Sequence, residues 1–465
     1  MTMQTRKDLF QAHRLMTQRA SLALLRGEPD IPDQPLRRLN IATISGVLVA
    51  VIAIVIFLIW GLLGHVGSSL RNQPGTLILD KDTGQPYVFC YRGRLLCPVV
   101  NYASARLALA SDSVTQQSVS QASLGNFRRG PLIGIPGLPP LPNAGQLVRQ
   151  PWSVCTQTGI NPGIGQTTTT TLSVGLPTGG SSLGSGELLT QAQGQDWVVW
   201  DNERLPVQPS ALNALQSETP TLVPSTWLDA LPQGPAFAPP VIAGRGEMVV
   251  NGPAGIPAEV GQVYQVSGLP GGTQYYVLLR DGLASITQTQ DKLMQFEPNE
   301  PSQRTLTAAQ VTADTSRSSP AVPNNGLPPS IPTAELPAAS AALCVVYTAS
   351  AAGGSTLTPQ VVSGGRLPQN GVKTGIPADV DQVALPPGTG ALVGDATGTS
   401  QGAGTISYFL VTAGRRYALA ETEVVGWLGY SLSQAVLLPP GVVDLIPQGP
   451  AFNTTQANES VQSGG

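Results

Sequence analysis

From Ile41 to Leu63 the chain reads IATISGVLVAVIAIVIFLIWGLL, and no charged residue lies between Arg38 and Arg71. At about 1.5 Å of rise per residue, roughly 20 helical residues cross a hydrocarbon core of about 30 Å. The stretch is therefore long enough to span a bilayer with some tilt. A signal-peptide core is shorter and does not follow a polar stretch as long as residues 1–40, and a fully buried helix seldom runs this far. Trp60 suits one membrane interface, while Arg37 and Arg38 stand outside the other end. The span divides the chain between two compartments.

Basic residues set the expected orientation. Arg6, Lys7, Arg14, Arg19, Arg26, Arg37 and Arg38 precede the span, whereas Arg71 and then Lys81, between Asp80 and Asp82, follow it. The positive-inside rule places the N-terminus in the cytoplasm and the remainder outside. Residues 1–40 carry seven basic and four acidic groups, net +3, so the total of −3 leaves −6 for the rest. That dispersed acidity argues against nucleic acid as a partner.

Only 11% of residues are charged, while 52 are Gly and 42 are Pro, which predicts a loop-rich outer part with regular apolar runs between turns. Its length exceeds what one core usually supports, so two or more units are expected. The four cysteines, Cys90, Cys97, Cys155 and Cys344, all follow the span. Outside the cytoplasm an even count favours disulfides over metal ligation or catalysis, with free thiols as the alternative.

In chain order, Thr5 to Asp8 resembles a capping box, and Leu9, Ala12, Met16, Ala20 and Ala23 recur at helical spacing until Gly27 and Pro29. This helix has a basic face suited to a cytoplasmic partner, to anionic lipid or simply to water. Beyond the span, a strand–turn–strand–helix cassette recurs. It begins near Pro86, with a helix from Tyr102 to Leu109, then near Asp196, with a helix from Ser210 to Leu215. It returns near Tyr275, before a helix from Ile286 to Phe296, and near Tyr408, before one from Val424 to Tyr430. Two phrases echo: LPQGPAF at 231–237 returns as IPQGPAF at 446–452, and GIPAEV at 255–260 returns as GIPADV at 375–380. Such periodicity predicts a modular ectodomain whose units bury their faces against one another.

The expected organisation has a cytoplasmic helix and linker at 1–40, the span at 41–63 and a leash at 64–75. Repeat 1 follows at 76–128, then the first half of a central β-rich domain at 129–190. Repeat 2 is expected at 191–243, repeat 3 at 244–311, a loop and the second central half at 312–384, and repeat 4 at 385–455. Residues 312–337 read as a long surface loop, and 456–465 as a disordered tail. The fold class is α+β: one transmembrane helix, then an elongated region of four strand/helix repeats around the central domain.

Catalytic chemistry is hard to find. His13 and His65 are the two histidines, one on each side of the span, which excludes a His-dependent triad or an ordinary His-ligated zinc site in the ectodomain. GGRLPQNGVKT at 364–374 looks like a phosphate loop, but Val372 separates Gly371 from Lys373, where a Walker A needs Gly-Lys directly. Glu421 with Glu423, and Asp379 with Asp381, are paired carboxylates that nothing marks as buried. Asn453 and Asn458 head glycosylation-like triplets in a polar tail. No catalytic, cofactor or metal residue is assigned. Cys90 and Cys97 flank a hairpin about Arg92 to Arg94, so a cross-strand bridge between them is plausible. Cys155 and Cys344 fall one in each half of the central domain, and closing so long a loop would stabilise by about 4–5 kcal/mol in the chain-entropy model.

The sequence resembles the EccB family, a single-pass membrane component of the type VII (ESX) secretion system of mycobacteria and related actinobacteria. The likeness rests on TRKDLFQAHRLMTQRASLALLRGEPD, on Pro35-Leu36-Arg37-Arg38 before a lone span, on Gly93-Arg94-Leu95, on the run from Pro98 to Leu107, and on Gly134-Ile135-Pro136-Gly137. It implies four repeats around a central domain, a central disulfide at Cys155 and Cys344, and a structural role in a secretion complex. The implied partners are an FtsK-like motor ATPase, a polytopic subunit with a ubiquitin-like domain, a further membrane subunit, a mycosin protease outside, the bilayer and a second copy through the ectodomain. Some members are described as ATPases; no cofactor is expected here. A cell-wall-binding repeat module is a third reading.

Overall fold

The computed structural model describes residues 6–26, 35–63, 75–161, 165–183, 188–215, 219–269, 271–298, 300–331, 341–349, 354–368, 371–375, 379–395 and 406–461. It is a mixed α+β structure that divides into two compact units, Met1–Arg71 and Asn72–Gly465.

The first unit holds helices α1 (Arg6–Arg26) and α2 (Pro35–Leu63). The predicted capping residue Thr5 and the stop signals Gly27 and Pro29 lie outside the described residues. Pro35 suits the first position of α2, because its missing N–H has no intrahelical acceptor there and its φ is already helical. From Ile41 to Trp60, α2 has a mean hydropathy of 3.0 and buries nothing against protein. It is the one helix among the described residues long and apolar enough to cross a membrane.

The second unit contains four sheets of four strands, each in the order third–second–first–fourth. Module 1 comprises Thr76–Asp80, Pro86–Cys90, Leu95–Pro98 and Thr115–Val119; module 2 comprises Leu188–Ala192, Gln195–Trp200, Glu203–Pro206 and Thr221–Leu222. Module 3 comprises Val263–Leu269, Gly272–Leu279, Gly282–Ile286 and Arg304–Thr305; module 4 comprises Gly390–Asp395, Ser407–Thr412, Arg415–Leu419 and Val436–Leu438. In each, three strands form an antiparallel meander and the fourth lies parallel to the first. A parallel return needs a crossover. Here it is a helix: Tyr102–Leu109, the 3-10 turn Pro209–Leu215, Gln288–Gln295 or Glu423–Trp427. Asn101 caps the first of these and Thr287 the third, each accepting a backbone N–H in the opening turn.

After the fourth strand and a short helix, each module returns along the outer edge of its third strand. The parallel bridges are Leu96–Arg129 and Val99–Ile133, Arg204–Gln233 and Val207–Phe237, Leu283–Thr315 and Ser285–Ala321, and Arg416–Gln448 and Leu419–Phe452. The echoed QGPAF phrase is this edge segment. Gly234 N donates to Arg204 O at 2.9 Å and Gly449 N to Arg416 O at 2.8 Å. A Cβ at Gly234 would collide with Glu203 and Leu205, and one at Gly449 with the Tyr417 ring. Phe237 and Phe452 close the cores and are fully buried. Module 1 has the same device in Gly130-Pro131-Leu132-Ile133, where Gly130 N donates to Leu96 O at 3.0 Å and Ile133 is fully buried. The other echo does not mark one element. Its first copy forms a short ladder, Met248–Val249 with Ala258–Glu259, whereas Gln382–Ala384 after the second copy joins the central sheet. Residues 376–378 lie outside the described residues.

The central sheet has seven strands in the order Val372–Lys373, Gln382–Ala384, Gly165–Val174, Trp152–Asn161, Ala342–Ala349, Leu357–Gly365 and Ser181–Ser182. Modules 2 and 4 pack on it: Trp227 and Leu228 of the one, and Val442 and Val443 of the other, share a core with Trp152, Val345 and Tyr347. Modules 1 and 4 meet through their crossover helices, as do modules 2 and 3. The packing order is thus 1–4–central–2–3.

Two expectations need correction. The tail is anchored, not free, as far as Val461: Thr454–Ala457 is helical, Ala457 is fully buried, and Val461 N donates to Leu132 O at 2.9 Å. The cause is the open edge of module 1's return segment, which offers partners that composition cannot reveal. Residues 312–331 are likewise no simple loop, since Ala308–Ala313 is helical, Thr315 and Ala321 bridge module 3, and Leu327 is buried.

Candidate functional site

The contacts that hold the second unit together are the two module pairs and the central sheet that joins them. In pair 1–4 the contact is mainly apolar, with Ala103, Leu107, Ile135, Val424, Leu428 and Phe452 in one core. Its polar ties end on backbone: Arg106 Nε donates to Trp427 O at 2.6 Å, and Tyr430 Oη to Pro142 O at 2.7 Å. Burial raises the Tyr430 phenol well above its ordinary range, so it stays a donor.

Pair 2–3 differs. Leu293 of module 3 inserts among Val198, Leu205 and Phe237 of module 2, but an ionic cluster stands beside it. Ser210 Oγ donates to Glu297 Oε1 at 2.9 Å, and Arg245 pairs with Glu300 and lies 3.9 Å from Glu297. On the module 3 crossover helix, Gln288–Gln295, Asp291 is fully buried and accepts from Gln295 Nε2 at 2.6 Å and from Gln303 Nε2 at 2.7 Å. Burial pushes its carboxyl up to about 6, against the smaller opposing effects of Lys292 and the two amides.

The cysteines of each predicted pair meet. Cys90 and Cys97 are joined within module 1, with Cα atoms 5.9 Å apart. Cys155 and Cys344 face each other directly on neighbouring antiparallel strands, with Cα atoms 4.0 Å apart, and form the second bridge. Among the described residues there is no free cysteine.

The residues weighed for chemistry stay apart. Lys373 lies on a two-residue edge strand of the central sheet, and no helix begins between it and Glu423 among the described residues. A phosphate loop instead delivers its lysine at a helix N-terminus. Asp381 is structural: its Oδ2 accepts from Thr170 N at 2.7 Å where the strand Gln382–Ala384 joins the sheet. Burial raises the Asp379 carboxyl, with Arg416 opposing. Glu421 and Glu423 are exposed at the start of the module 4 crossover helix. Asn453 caps Thr454–Ala457 and Asn458 Nδ2 donates to Thr454 O at 2.9 Å, so both triplets serve a helix.

Sequence reasoning did not find the matched arginines of modules 2 and 4. Arg204 pairs with Asp229 over the Trp197 ring, and Arg416 pairs with Asp444 over the Phe409 ring. Both pairs sit where a module leans on the central sheet. The signal was present in the echoes, each of which has an Asp two residues before its first apolar residue.

A family model described as type VII secretion system ESX-1, transport TM domain B (EccB), matches residues 2–463. The chain is 28% identical over 300 residues to the ESX-5 secretion system ATPase EccB5 of Mycobacterium tuberculosis, covering 61% of this chain and 57% of that protein. It is 29% identical over 272 residues to the ESX-3 secretion system ATPase EccB3 of Mycolicibacterium smegmatis, covering 54% and 50%. The matched stretch thus spans little more than half the length of these curated relatives. In fold, the chain resembles a chain of an intact ESX-5 inner membrane complex, with a TM-score of 0.64 at 23% identity over 100% of this chain and 96% of that one. It also resembles the EccB3 dimer from the ESX-3 core complex, with a TM-score of 0.64 at 26% identity over 82% and 99%. The chain belongs to the EccB family of the type VII secretion system.

Proposed function

We propose that this chain is a structural core subunit of a type VII secretion inner membrane complex. The observation that carries the reading is the family match along residues 2–463, which takes in α1, the span and all four modules together. In this reading α1 is cytoplasmic and the second unit lies outside, as the basic residues before the span require. The four modules are copies of one repeat about a central domain, since they share strand order, crossover and edge return. Stacked modules cover surface efficiently, which suits self-association of the ectodomain. The expected neighbours are an FtsK-like motor ATPase and a polytopic ubiquitin-like-domain subunit reached from the cytoplasmic side, a further membrane subunit, and a mycosin protease outside.

The curated relatives are named ATPases. A scaffold role is favoured here because a nucleotide site needs clustered phosphate donors, whereas Lys373 stands on a sheet edge. Extraction of the tagged chain from membranes, with identification of the subunits that follow it, tests the reading. The full chain should bring the other type VII membrane subunits, and deletion of residues 6–26 should release the cytoplasmic ones. Purification of the full chain alone would defeat it. Nucleotide turnover by the purified ectodomain that vanishes in Lys373→Ala would replace scaffold by enzyme.

A further inference from the structure

The hairpin of Trp152–Asn161 and Gly165–Val174 runs in register from Trp152 opposite Val174 to Asn161 opposite Gly165. Its neighbours are shorter. Ala342–Ala349 covers residues 152–156 of one strand, and Gln382–Ala384 covers residues 171–173 of the other. From Gly165 to Thr169 the outer edge of the second strand therefore meets no other strand among the described residues.

The direction of its backbone groups follows from the ladder. Thr170 faces outward, because its O accepts from Asp381 N at 3.0 Å and its N donates to Asp381 Oδ2 at 2.7 Å. Backbone groups alternate sides along a strand, so Gln166 and Thr168 also turn N–H and C=O to the open edge. Thr158 opposite Thr168 is then a close, non-hydrogen-bonded pair, and the two hydroxyls do bond at 2.9 Å. The edge is thereby held straight before any partner arrives.

Natural edges are usually blunted by charge, proline or a bulge. From Gln150 to Gly186 this chain has no charged residue, and the ladder from 152 to 174 has no register shift. Beside the edge lies a cleft of about 450 Å³, lined by Thr168, Thr169, Lys373, Thr374, Asp381 and Gln382. Strand rise, strand spacing and sheet thickness give one strand residue about 150 Å³, so the cleft takes about three residues of one strand. The Asp381 carboxylate is already engaged with Thr170 N, which leaves Lys373, exposed on the cleft wall, as the group that reads charge.

We infer that the open edge from Gly165 to Thr169 is a strand-addition site for an extended polypeptide segment, paired through the backbones of Gln166 and Thr168, with an acidic side chain set against Lys373. Main-chain pairing is nearly blind to sequence, and the added strand's alternate side chains supply the selection. The site rests on the geometry of the central sheet and stands or falls apart from the composition of the membrane complex.

The test uses the full chain in detergent and a fluorescent ten-residue peptide of alternating Thr and Val with one central Glu. This peptide should bind saturably and slow hydrogen exchange at the Gln166 and Thr168 amides. A central Lys should weaken binding about tenfold, and N-methylation of alternate peptide amides should abolish it. Thr168→Pro removes one outward N–H, a change an edge tolerates, and should weaken binding up to about tenfold with the melting temperature unchanged. Lys373→Glu should reverse the preference between Glu and Lys peptides, which keeps the test decisive if Thr168→Pro misfolds. Equal binding of the N-methylated peptide, unchanged exchange at those amides, or conversion of a dimer to a monomer by Thr168→Pro would overturn the inference.

Discussion

Pairs 1–4 and 2–3 are built on the same plan, with two crossover helices meeting and return segments crossing over, yet different chemistry holds each together. Pair 1–4 is sealed by apolar side chains and by the chain end, where Ser460 bridges Ile133 and Glu459 O accepts from Gly134 N at 3.3 Å. Pair 2–3 carries one polar tie across its apolar contact, Ser210 to Glu297, and on the module 3 side of that contact stand the buried Asp291 carboxylate and the Arg245–Glu300 pair. Apolar burial responds little to pH, whereas a buried carboxyl whose pKa folding has raised does respond. One strand order thus supports an apolar joint at one end of the packing order and, at the other, a joint whose module 3 helix carries a pH-sensitive carboxyl.

The largest effect should come from the bridge that encloses the whole of pair 2–3. Cys155 and Cys344 are 189 residues apart, against 7 for Cys90 and Cys97. In the chain-entropy model these close loops worth about 5 and about 2.5 kcal/mol. Denaturant unfolding of Cys155→Ser with Cys344→Ser should lose roughly twice the stability lost by the other double variant. Equal losses would mean that strain or residual structure, not loop length, decides.

Next in size is Phe452→Ala, which empties a fully buried position at the centre of pair 1–4. A cost of about 3–5 kcal/mol is expected, with faster hydrogen exchange in Tyr102–Leu109 and none in Gln288–Gln295. Exchange that rises equally in both helices would erase the distinction between the pairs. Smaller again is Glu300→Gln. Glu300 is 10% exposed and Arg245 28% exposed, so removing this partner should cost about 1–3 kcal/mol in denaturant unfolding.

The smallest effect is a pH dependence. The folded pKa of Asp291 is raised to about 6 from an ordinary 3.8. Its favourable contribution is therefore complete below pH about 4 and is lost as pH rises through about 6. Acidification from pH 7.5 to 5 should recover about 1 kcal/mol, seen as a higher melting temperature, and Asp291→Asn should flatten that response. Asp281, held at about 2 by hydrogen bonds from Ser316 and Ser318, stays ionised across this range and adds no slope. A melting temperature that falls on acidification would assign the sensitivity elsewhere.

The middle of each module was legible in the sequence and its edges were not. Second and third strands such as Tyr408 to Leu419 carry β-branched and aromatic residues about a tight turn, which is local information. Fourth strands escaped notice because they are short or polar, as in Thr115–Val119 (TQQSV) and Arg304–Thr305. They are strands only because a distant partner pairs with them. The repeated QGPAF was visible as a phrase, but its meaning, a glycine under a strand and a phenylalanine in a core, required the sheet. In module 1, Ile133 replaces that phenylalanine, and the third copy passed unseen. The matched arginines on Trp197 and Phe409 were hidden for the same reason, since partners 25 and 28 residues away are set by topology.

The central claim is that one span separates a cytoplasmic helix from a modular body outside. An impermeant thiol reagent applied to spheroplasts tests it directly, with single cysteines placed at Gln11 and at the exposed Ala122, because the native cysteines are all bridged. Ala122→Cys should label at once and Gln11→Cys only after lysis. Labelling of Gln11→Cys in intact spheroplasts, with Ala122→Cys protected, would reverse the topology and contradict the account.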